Sequence, residues 1–142
     1  MPDGILAKIK KLFEGDPAIH RVAEDPVAAA ELLLLFRMIL ADGEVDEQEM
    51  ETFRRICREA FGIPEESIEG VIRYLQDFGY ETTGSQALAL FRTLDRGRRI
   101  QLGRHMVEIA KSDQKLSEHE VRLLKRTIEV LDLEPEEIVG AP

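Results

Sequence analysis

Two stretches of this chain concentrate carboxylates beside helix-breaking residues. The first is Ala41-Asp42-Gly43-Glu44-Val45-Asp46-Glu47-Gln48-Glu49, and the second is Ser112-Asp113-Gln114-Lys115-Leu116-Ser117-Glu118-His119-Glu120. The spacing from Asp42 to Asp113 equals that from Pro64 to Pro135, 71 residues, so the pattern is an internal duplication. Carboxylates at such places can cap the free amides of a starting helix, or they can hold something positive. Asp46 with Glu49, and Ser117 with Glu120, have the spacing of a capping box. Val45 with Met50, and Leu116 with Val121, complete hydrophobic staples. Gly43 suits the left-handed residue that ends the preceding helix. Capping leaves Asp42 and Asp113 unexplained. A negative charge in the last turn of a helix opposes the macrodipole, and its repetition points to a partner for both carboxylates.

The elements around these turns are helical. Apolar residues recur with helical spacing through nearly every segment, and no segment sustains the alternation of a half-buried strand. Ile5, Leu6, Ile9, Leu12 and Phe13 form one stripe, with Lys8, Lys10 and Lys11 beside it. Asp16-Pro17 and Asp25-Pro26 each read as a cap followed by proline at the first helical position. The segment from Pro26 to Ala41 is apolar almost all round and is expected to be the buried central helix. Glu31 and Arg37 are placed at its less buried edge, with a buried polar contact as the alternative. Met50, Phe53, Cys57 and Ala60 are expected to face inward, followed by Ile68, Val71, Ile72, Leu75 and Phe78. Thr83 and Gln86 have capping-box spacing before a short helix carrying Phe91 and Leu94. Leu102, Met106, Ile109 and Ala110 give the next stripe, before a helix from Ser117 to Leu131 and a last turn at Pro135. The expected fold is all-α, a bundle of about seven helices in two pseudo-symmetric halves joined by short loops.

Composition narrows the function. The chain has 142 residues, 28 Asp plus Glu against 19 Lys plus Arg, and a net charge of −9. Such a surface repels phosphate, so no nucleic-acid partner is expected. Aromatics are 6% and Trp is absent, which argues against stacked-base or carbohydrate platforms. The single Cys57 excludes an internal disulfide and a multi-thiolate zinc site. His20, His105 and His119 form no compact ligand motif. No leader-like segment is visible, and the longest apolar stretch is broken by Glu31 and Arg37. A cytoplasmic protein is expected.

The first acidic stretch resembles the ADGxxxxxE motif of the TerB-like family, the tellurite resistance protein B domain. The second stands where that family has its second motif. The resemblance covers about residues 25–139, with residues 1–24 as an N-terminal helical extension of a single 1–142 domain. It implies a bundle of two related halves, a setting of tellurite resistance and stress response, and no established catalysis. It also implies a divalent-metal site formed by Asp42 and Glu49 with Asp113 and Glu120. Oxygen donors of this kind suit a hard cation such as Ca²⁺, Mg²⁺ or Mn²⁺. The second copy departs from the pattern, since Gln114 replaces the glycine and Lys115 adds a positive charge. An EF-hand loop does not fit: counting Asp42 as position one, position six is not glycine and position twelve is Phe53.

The expected function is a non-catalytic binding or sensing module with a protein partner. The alternative is a purely structural interaction domain whose acidic motifs, with Asp46 and Ser117, are helix caps. A metal-dependent hydrolase is a third reading, but no nucleophile elbow, P-loop, Rossmann fingerprint or acid/base pair supports an enzyme. Arg96, Arg98 and Arg99 form a basic cluster suited to an anion or an acidic partner surface. Residues 5–13 have the pattern of a peripheral membrane contact, though packing on the bundle explains them as well.

Overall fold

Side-chain caps set the helix starts. Asp16 accepts from the Ala18 amide at 2.8 Å and opens α1, Pro17–Glu24. Asp25 accepts from the Ala28 amide at 3.1 Å and opens α2, Pro26–Leu40. Asp46 opens α3, Glu47–Phe61, which ends at Gly62 with φ +65°. That left-handed backbone favours glycine. A 3₁₀ turn, Glu65–Ser67, leads into α4, Ile68–Glu81, and then α5, Gly84–Phe91. Asp95 accepts from the Arg98 amide at 2.8 Å and opens α6, Arg96–Lys111. Ser117 opens α7, Glu118–Leu131, and α8, Pro135–Val139, closes the order.

This computed structural model describes residues 16–41, 43, 45–81, 84–112 and 116–139. Asp42, Asp113, Thr83 and the amphipathic stripe of residues 5–13 lie outside them. Among the described residues the chain has eight α-helices and no strand, against the about seven expected. α1, which starts where the Asp16-Pro17 signal places it, buries Ala18 and Val22 in the core.

The centre is the pairing of α2 with α6. Each carries few polar residues on its buried side, and each serves as a floor for neighbours: α1, α3, α4 and α5 on α2, and α3, α7 and α8 on α6. The 71-residue spacing of the two acidic stretches holds in the helix boundaries around them. The ends of α2 and α6, at Leu40 and Lys111, and the starts of α3 and α7, at Glu47 and Glu118, keep the 71-residue spacing. The left-handed residue after each second helix is Gly62 in one copy and Asp132, φ +55°, in the other. That pair is 70 residues apart, so α7 is one residue shorter before the chain re-registers at Pro135.

Close approach fixes the last helix. A Cβ at Gly103 would lie 2.6 Å from Cγ2 of Ile138, so α8 sits directly on the α6 backbone. Phe53 and Cys57 are fully buried on α3, as expected, but Ala60 is exposed and Ile56 is buried instead. Burial pushes the Cys57 thiol up to about 12. A thiolate is the reactive form, so labelling of Cys57 by a disulfide reagent at pH 8 should require unfolding. The labelling rate is expected to rise with denaturant in parallel with the unfolded fraction. Rapid labelling of the native chain would show that α3 opens locally.

Candidate acidic-motif site

The two acidic turns are built by the same local rule and finished differently. In the first, Asp46 accepts from the amides of Gln48 and Glu49, at 2.9 and 3.0 Å. In the second, Ser117 accepts from the Glu120 amide at 3.1 Å, and Glu120 accepts in return from the Ser117 amide at 3.5 Å. The second copy is therefore a full capping box. Gly43 has φ +80° and donates its amide to the Leu40 carbonyl, the left-handed helix stop that its position suggests. The staples contribute little burial, because Val45 is 54% exposed and Leu116 is 59% exposed.

Glu49 and Glu120 occupy equivalent places in the first turns of α3 and α7, and each is only 1% exposed. Glutamate is rarely buried to this degree unless it is paired or bound. The positive end of a helix dipole favours a carboxylate there, but it does not require one to leave water. Hydrogen bonding joins the halves close by. The hydroxyls of Thr52, on α3, and Ser112, at the end of α6, lie 2.5 Å apart, and Ser112 also donates to the Glu108 carbonyl at 2.7 Å. Arg55 on α3 meets the Glu108 carboxylate at 2.6 Å. The end of α6 that leads into the second motif is thereby tied to the helix that follows the first.

As a donor set, the described part of this site offers hard oxygen ligands only. Such atoms fit Ca²⁺, Mg²⁺ or Mn²⁺ and not a soft metal. Among the described residues no three potential ligand side chains converge. A complete shell would draw on Asp42 and Asp113, which lie outside the described residues. His119 is exposed.

The basic cluster is engaged inside the protein. Arg96 pairs with Glu137 on α8 at 2.6 Å, and Arg98 pairs with Glu31 on α2 at 2.6 Å. Arg99 donates to the carbonyls of Leu94 and Leu131, and Arg104 to that of Glu137. These arginines tie α6 to α2, α7 and α8. Glu31 corrects the edge position expected for it, because it is 4% exposed. A carboxylate within the run Val27 to Leu35 has to find a cation once the helix is central, and Arg98 supplies it. The signal was a lone charge in an apolar helix.

The family model for tellurite resistance protein TerB matches residues 27–141. No curated protein gives a match. Among solved structures, the fold is similar to the crystal structure of a protein of unknown function from Porphyromonas gingivalis W83. That likeness has a TM-score of 0.62 at 20% identity and covers 81% of this chain and 91% of the other.

Proposed function

The chain belongs to the TerB family, and from that premise we propose that it is a non-catalytic binding module whose duplicated acidic motifs take a divalent cation. Tellurite resistance and stress response, the setting that the family resemblance brings, form part of the same proposal, as does a cytoplasmic location. Among the described residues no helix is long and apolar enough to cross a membrane. The observation that carries the reading is the matched burial of Glu49 and Glu120 at equivalent helix starts. Asp42 and Asp113, just before these helices, would complete the oxygen donors.

The test is calorimetric titration and thermal unfolding of chelator-treated protein with Ca²⁺, Mg²⁺ and Mn²⁺. Binding to the native chain alone adds about 2.7 kcal/mol at a cation concentration 100 times Kd. Asp42→Asn should abolish that gain while leaving the unliganded stability unchanged or slightly raised, because it relieves a conflict with the helix dipole. Glu49→Gln should abolish it too, but with a loss of unliganded stability, because Glu49 sits in the first turn of α3. Identical melting temperatures of the parent chain with and without every cation would overturn the metal reading.

A second reading has its own support in the observed caps at Asp46 and Ser117. In it the motifs only stop and start helices, and the domain works by docking another protein. Failure of the cation titration would leave that reading in front.

A further inference from the structure

Away from the acidic turns, the faces of α2, α5 and α7 enclose a groove of about 230 Å³. Its floor and walls are Leu34, Phe91, Leu123 and Val130, with Ala87 behind them. Thr127, the other polar lining residue besides two arginines, already spends its hydroxyl on the Leu123 carbonyl at 2.8 Å. The arginines are Arg37, in the last turn of α2, and Arg126 on α7. Neither makes a hydrogen bond or ion pair among the described residues. In a chain with 28 carboxylates and a net charge of −9, these two guanidinium groups border one apolar groove from two different helices.

We propose that this groove docks an acidic amphipathic segment of a partner protein. One apolar anchor side chain would sit between Phe91 and Leu123, with carboxylates on Arg37 and Arg126. The chemistry follows from three features. Guanidinium groups recognise carboxylates bidentately, and neither of these two is engaged among the described residues. An apolar lining with a charged edge is the pattern of helix-in-groove recognition. The volume falls below the roughly 300–1,000 Å³ of small-molecule pockets, so it suits an anchor side chain rather than a long acyl chain. The local positive charge also provides what the acidic remainder of the surface would deny such a segment. This surface is separate from the acidic motifs, and its occupation requires no cation.

The experiment is selection of twelve-residue peptides from a random display library on the full chain, followed by fluorescence anisotropy of the enriched peptides. The enriched class is expected to hold one Leu or Phe with Asp or Glu three or four residues to either side. Affinity should fall at least tenfold in Arg37→Glu/Arg126→Glu. Both arginines are exposed, so the thermal unfolding of that variant should match the parent. Leu123→Ser provides a second test, weakening the same peptides with the arginines intact. Enrichment of basic peptides, absence of any enriched class, or unchanged affinity in the charge-reversed variant would each overturn the proposal. Light scattering covers one other occupant. A dimer of the parent chain that dissociates in Arg37→Glu/Arg126→Glu would assign the groove to a second copy and overturn the partner reading. Tight binding of a long-chain fatty acid that competes with the peptides would assign it to an acyl chain, with the same consequence.

Discussion

Replacing Phe53 with alanine is expected to lower the unfolding free energy by about 4 kcal/mol. Phe53 is completely buried on α3, the helix that packs on both α2 and α6. Its ring meets that of Phe36 on α2, with centroids 5.7 Å apart and planes tilted by 54°. Truncation removes the ring's transfer energy and leaves a cavity that a bundle fixed by neighbours on two sides closes only in part. For a domain of this size the loss corresponds to a melting temperature lower by roughly 12 °C. Phe36→Ala should also be costly. The double variant should lose less than the sum by about 0.5–1.5 kcal/mol, because the ring pair is lost only once. Chemical denaturation of the four chains measures both quantities. A loss below about 1 kcal/mol for Phe53→Ala would mean that α3 is not seated against α2 as described. Full additivity would remove the ring pair from the account.

The same packing shows what periodicity reveals and what it leaves out. The stripe Leu102, Met106, Ile109 and Ala110 is buried throughout, as its spacing indicates. On α3, spacing alone put Ala60 inside and passed over Ile56. Packing against two helices at once turns the buried face away from a single stripe. Boundaries were legible where a local side chain sets them, at Asp16-Pro17, Asp25-Pro26, Asp46 and Ser117, because capping is a contest within one turn of chain. The family was legible for a related reason, since the duplicated turn puts many residues in fixed order. Long-range partners were less so. Arg98 reads as a surface cation until the fold brings Glu31, 67 residues away, to 2.6 Å. Glu49 reads as a cap residue, and its depth depends on what packs over the start of α3. The groove at Arg37 and Arg126 joins three helices and has no signature within any one of them.

Glu31 and Arg98 also give the chain a calculable response to acid. Burial holds the Glu31 carboxyl above its ordinary value of 4.5, outweighing the hydrogen bond and charge of Arg98, which pull it down. Between that ordinary value and the raised folded one, the native chain binds more protons than the unfolded chain. In that window this group's contribution to stability falls as pH rises. Arg98→Met takes away both lowering influences, pushes Glu31 higher still and extends the window upward. At pH 7 the variant must fold around a buried carboxylate that has lost its cation. Breaking a buried pair from one side costs about 3–5 kcal/mol, and the partial exposure of Arg98 places the expected loss near the lower figure. The deficit should shrink as pH falls from 7 to 5, because a protonated Glu31 needs no guanidinium. Glu31→Gln/Arg98→Met should be more stable at pH 7 than Arg98→Met alone and should lack this pH dependence. Urea unfolding at the two pH values checks each step. An equal loss for Arg98→Met at pH 5 and pH 7 would mean that the arginine acts through packing of its stem, and that the Glu31 charge does not set the stability of the α2–α6 pairing.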